Sequence, residues 1–170
     1  MRFLLPILLS VSLFRASAFS QSPETERYKS VQIDDKGRLN LGMETGAEKP
    51  APRLKGQVRF EEAAISSDRK TVGWLVDYPD PSVTYYRGAT IPGSLVLYRD
   101  GRILHVFTTE QIFWDWSFVD GGAQVAYCTG PTHGGAAECV LRGVESGAVV
   151  ARWPVVQDAE GPAWAKNLRH

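Results

Sequence analysis

Residues Phe113 to Trp153 read FWDWSFVDGGAQVAYCTGPTHGGAAECVLRGVESGAVVARW, which is four short strands written one after another. Trp114, Trp116 and Phe118 alternate with Asp115 and Ser117, the period-2 pattern of a strand with one apolar face. That alternation places both tryptophans in the core. Asp120-Gly121-Gly122 supplies a turn, Gln124 to Cys128 the next strand, and residues 129–138 (TGPTHGGAAE) a glycine-rich loop. Cys139 to Arg142, a Glu145-Ser146-Gly147 turn and Ala148 to Trp153 complete the unit.

Upstream, residues 58–107 follow the same plan. Val58 and Phe60 open a strand, residues 65–70 (ISSDRK) turn, and residues 71–77 (TVGWLVD) form a strand apolar on both faces. Val72, Trp74 and Val76 lie on one face and Leu75 on the other. A long proline-bounded connection, residues 78–93, leads to a hairpin at SLVLYRDGRILHVF, where Asp100-Gly101 between apolar runs is a strong turn signal. Asp68 corresponds to Asp120, Val72 to Val125, Trp74 to Tyr127, Gly101 to Gly147 and Phe107 to Trp153. A four-stranded unit repeated at roughly 45–53 residues is the mark of a propeller blade or a related array.

The flanks are simpler. Met1-Arg2, the apolar run Phe3 to Phe14 and Ala16-Ser17-Ala18 together predict a secretory signal peptide cut after Ala18. The run is short for a bilayer span, and no cysteine follows it to carry a lipid, so the expected product is an exported protein, secreted or periplasmic, without a membrane span. Losing Arg2 and Arg15 leaves 17 basic and 19 acidic residues, a balance that offers no electrostatic footprint for nucleic acid. Residues 19–56 are expected to be a lead-in, a hairpin over Val31 to Gly42 and a linker from Met43. A two-repeat β domain occupies residues 57–157. In the tail, 158–170, Gly161-Pro162 precedes one or two helical turns that place Trp164 on the core.

The segments ISSDRKTVGWLV and FVDGGAQVAYC resemble the turn-and-strand core of TolB-like and WD-type β-propeller repeats, and LYRDGRI and VESGAV are similar to the strands that finish such blades. The resemblance covers about residues 58–153. It implies four-stranded antiparallel blades that serve as binding platforms, and it carries over no catalytic residue. A closed propeller needs at least four blades, and this chain has two, with a fragment at 31–42. Sheets apolar on both faces must be covered twice. The expected all-β fold therefore stacks two blade-like sheets as a sandwich or partial propeller. The N-terminal hairpin and a short C-terminal helix then patch the outer faces; assembly into a homo-oligomer or cover by a partner are the alternatives.

Few residues point to chemistry. Cys128 and Cys139 flank one loop in an exported chain, and a disulfide that clamps the hairpin is the expected outcome. Their spacing does not suit a redox-active pair. His105, His133 and His170 show no metal-ligand spacing, and neither G-x-S-x-G nor a phosphate-binding glycine loop occurs. Asp115 lacks an evident carboxylate partner across a cleft. Asp34-Asp35 and Glu61-Glu62 point to opposite faces of their strands and read as solvated surface acids. No catalytic residue, metal or cofactor is expected. Tyr85, Tyr86 and Arg87, in the long connection, are the candidate ligand contacts, suited to a protein or carbohydrate ligand. The function expected is non-enzymatic binding or scaffolding; a small secreted enzyme acting on glycans and a structural subunit of an envelope assembly are the alternatives.

Overall fold

A computed structural model describes residues 26–80, 88–156 and 159–168. The chain is all-β, with three antiparallel sheets that do not close into a barrel. The first sheet holds β1 (Tyr28–Ile33), β2 (Leu39–Met43) and β3 (Glu48–Pro50) in that order. The second holds β4 (Arg59–Ile65), β5 (Val72–Pro79), β6 (Thr90–Arg99) and β7 (Arg102–Thr108). The third holds β8 (Ile112–Val119), β9 (Gln124–Gly130), β10 (Glu138–Gly143) and β11 (Val149–Pro154). The third strand of the first sheet falls in the stretch read from sequence as linker, where Glu48 to Pro50 pair with Gly42 to Asn40.

The strand pattern dictates how the sheets stack. Leu39, Leu41 and Met43 of β2 face Val72, Trp74 and Val76 of β5 in one core, joined by Phe60, Val96 and Tyr98. The opposite face of the second sheet, with Leu75, Leu95, Leu97 and Phe107, packs on Phe113, Trp116, Val125, Tyr127 and Val140 of the third. The back of the third sheet, Ala126, Cys128, Cys139 and Leu141, is covered by Ala165 and Leu168, with Trp164 partly buried beside them. The expected C-terminal turn is present as one 3-10 turn, Ala163–Ala165. Alternation therefore continues through the stack, because each central strand turns one face to the preceding layer and one to the next.

Equivalent turns of the two repeats also meet. Gly122 lies so close to the Ser66–Asp68 turn that a Cβ there would come within 3.0 Å of both Asp68 Oδ1 and Ser66 Cβ, and its φ of +94° independently favours glycine. At the other end, Gly147 leaves room for the His105 ring. His105 stacks on Phe107, and its Nε2 lies 3.1 Å from the Glu145 carbonyl oxygen. It is thus a strand histidine satisfied within the stack.

The Trp-Asp-Trp alternation corrects one expectation. A bulge interrupts the β8 register between Phe113 and Asp115, which face Thr129 and Cys128 in turn. The extra residue is Trp114. Phe113 and Trp116, three apart, consequently enter the same core, whereas an unbroken strand would send them to opposite faces. Trp116 seats its six-membered ring over Gly73 of β5, where a Cβ would come within 2.6 Å of it, and its indole N–H donates to the Glu62 carbonyl at 3.0 Å. Glu62 itself sits in a bulge of β4 with a φ of +45°.

Gly73→Val should push this ring from its seat and destabilise the protein by about 1–3 kcal/mol, the usual cost of overpacking. Trp116→Phe keeps an aromatic ring but removes the indole donor, and should cost about 1 kcal/mol from the hydrogen bond, besides any packing loss. Urea midpoints measure both; an unchanged midpoint for Gly73→Val would contradict this packing.

Candidate functional site

A cavity of about 630 Å3 opens where the first sheet meets the turn between β4 and β5. Glu26 and Arg27 enter it from just ahead of β1, Met43 and Glu44 from the β2–β3 hairpin, Lys49 from β3 and Lys70 from the β4–β5 turn. Backbone bonds assemble these four segments: Glu44 N–H donates to the Arg27 carbonyl, and Tyr28 N–H to the Arg69 carbonyl at 2.8 Å. Lys49 pairs with Leu41 in the register, so it rises from the inner face of its sheet toward the cavity.

The turn that contributes Lys70 is held by its own polar side chains. Ser66 Oγ donates to Asp68 Oδ1, which also accepts from the Lys70 N–H, and the Thr71 N–H donates to Ser66 Oγ. Burial works against the Asp68 carboxylate, but the hydrogen bonds from Ser66 and Lys70, with the charges of Arg99 and Lys70, outweigh it and hold this carboxyl below its ordinary range. Arg69 adopts φ of +61°, costly for a residue with a Cβ, and its guanidinium pairs with Glu44 across the cavity rim at 3.0 Å.

Charge in the cavity is partly cancelled and partly free. Lys49 Nζ bonds Glu26 Oε1 at 2.5 Å, and this bond raises the Lys49 pKa against the pull of desolvation. Glu26 Oε2 is buried with no donor among the described residues. Just behind stand Tyr28 and Tyr98, ring centroids 6.3 Å apart. Burial, followed by the charge of Glu26, pushes both phenols above their ordinary range, so both hydroxyls remain neutral. With Glu26 and Glu44 paired to Lys49 and Arg69, Arg27 and Lys70 remain as lining cations without an ion-pair partner among the described residues.

The residues singled out by sequence fare differently. Cys128 and Cys139 are directly opposed across β9 and β10, fully buried and disulfide-bonded. The bridge closes the Thr129–Glu138 loop, and Gly130 lets that loop fold back, since a Cβ there would meet the Gly135 carbonyl. Tyr85, Tyr86 and Arg87 lie outside the described residues, as do residues 1–18, read from sequence as a signal peptide, and His170. His133 is exposed in its loop, and Asp115 Oδ1 accepts from the Trp116 N–H. Among the described residues no His, Cys, Asp and Glu side chains cluster to hold a metal, and no helix is long and apolar enough to cross a membrane. The cavity itself escaped sequence reasoning, because its walls come from residues 26–27, 43–49 and 70.

No protein-family model matches the chain, and no curated protein matches it.

Replacing both cysteines by alanine should lower stability by about 2–4 kcal/mol, since the closed loop is short and the half-cystines are buried. Urea denaturation of Cys128→Ala/Cys139→Ala beside the parent chain checks this, and an unchanged midpoint would contradict it.

Proposed function

We propose that the chain is an exported, non-enzymatic binding module built from blade-like β repeats. Its ligand is a small polar molecule with an acidic group, held in the cavity between the first sheet and the β4–β5 turn. One observation carries the reading: Arg27 and Lys70 line the cavity without a salt bridge among the described residues, while its acids Glu26 and Glu44 are occupied by Lys49 and Arg69. A carboxylate or phosphate placed between Arg27 and Lys70 supplies the missing countercharge. The apolar side of Met43 and the buried Glu26 Oε2 provide a surface and an acceptor for the remainder of such a ligand. Export is supported by the N-terminal apolar run with its Ala16-Ser17-Ala18 site and by the disulfide, which persists in oxidising compartments.

Titration calorimetry with inorganic phosphate, glutamate and glucuronate tests this directly. Saturable binding of at least one is expected, weakened at least tenfold, about 1.4 kcal/mol, by Arg27→Gln with Lys70→Gln. Added salt should weaken it too. Absence of saturable binding to all three, or binding indifferent to the double substitution, would overturn the assignment.

A further inference from the structure

Arg59, Glu61, Asp77 and Thr90 form a second polar cluster, sharing no residue with the cavity. Asp77 ends the apolar run of β5, is fully buried, and stands directly opposite Arg59 in the β4 register. Its Oδ2 accepts from Arg59 Nε at 2.6 Å and from Thr90 Oγ1 at 2.9 Å. Its Oδ1 is equally buried, and no N–H or hydroxyl among the described residues donates to it. Diagonally across the β4–β5 register from Asp77, where Glu61 pairs with Leu75, stands a second carboxyl, that of Glu61. Glu61 lies two residues beyond Arg59 on the same face of β4, with Oε1 3.6 Å from Nη2 of that same guanidinium. One cation thus serves two acids. Two carboxylates in contact repel strongly when both are ionised, and an oxygen–oxygen hydrogen bond between them requires a proton.

We propose that Glu61 and Asp77 hold one proton between them as a carboxyl–carboxylate pair clamped by Arg59, forming a proton-binding site whose emptying loosens the joint of β4, the end of β5 and the start of β6. The proton resides on Glu61. Two donors already occupy Asp77 Oδ2. Glu61 is partly exposed, and its carboxyl is pushed up by burial first, then by the charge of Asp77 and the bond to it, against the attraction of Arg59. Among the described residues the charged groups acting on it are Asp77 from β5 and Arg59 and Glu62 from β4. From the facing sheet, Trp116 brings a neutral indole that bonds the Glu62 carbonyl. The Asp77 carbonyl also accepts from the Val58 N–H at 2.8 Å, and Asp77 pairs with Pro92. Proton occupancy therefore acts on the end of β5 and the start of β6.

The sign follows from linkage. A carboxyl raised above its unfolded value contributes stability that is fully present below about pH 4.5, the ordinary glutamate value, and is lost as pH rises through the raised one. Glu61→Gln replaces the proton by a permanent amide donor. Side-chain carboxyl 13C NMR of the folded chain and urea denaturation from pH 4.5 to 8 form the test. Glu61 should titrate above the ordinary glutamate range, and lower in Asp77→Asn. The folded-to-unfolded ratio of the parent chain should fall several-fold relative to Glu61→Gln as pH rises. If Asp77→Asn fails to fold, the parent titration and Glu61→Gln still decide. Titration of Glu61 at or below the ordinary value, or a Glu61→Gln pH profile parallel to the parent, would overturn the proposal.

Discussion

The seat of Trp116 on Gly73 is the contact on which the stack depends. A sheet apolar on both faces needs two neighbours, and the second sheet finds one of them only if β8 presents its largest side chain to a flat place on β5. Gly73 supplies the flat place. The bulge at Trp114 supplies the aim, bringing Phe113 and Trp116 to one face, and the β4 bulge at Glu62 turns a carbonyl toward the indole N–H. Hydrophobic burial holds the layers together without direction; this hydrogen bond and the missing Cβ of Gly73, with the His105–Glu145 and Gly122–Ser66 contacts at the two ends, give them a register.

Both ends of the stack are finished differently. On the outer face of the first sheet, Ser30, Gln32, Asn40, Gly42, Glu48 and Pro50 present a polar surface, the character of a terminal repeat that needs no further neighbour. The third sheet keeps an apolar back, and the C-terminal segment covers it with Ala165, Leu168 and Trp164. Of the edge strands, β7 and β11 expose Val106, Val149 and Val150, but β11 carries Arg152 and Pro154 in the same strand, devices that discourage edge pairing.

Much of this architecture was legible from the residues. The alternation of Val72, Trp74 and Val76 against Leu75 announced a strand buried on both sides, and the correspondence of Asp68 with Asp120 anticipated two turns that in fact lie against each other. Cys128 and Cys139 announced their bridge. The third strand, Glu48–Pro50, was hidden because three residues containing a proline carry too little periodicity to read. Trp114 misled for a physical reason: a bulge adds a residue without altering the local composition, so the alternation on either side looked continuous. The cavity and the Glu61–Asp77 contact were hidden in another way. Glu61 was paired in sequence with Glu62, and its true partner stands 16 positions on, brought beside it by the β4–β5 register.

The functional reading rests on how the stack ends, because a cavity with Arg27 and Lys70 without a salt bridge among the described residues is a ligand site only if no second chain fills it. Light scattering of the native protein measures this most directly. A stack capped by a polar first sheet and the C-terminal segment should have the mass of one chain, independent of concentration, and a stable dimer or larger assembly would contradict the account.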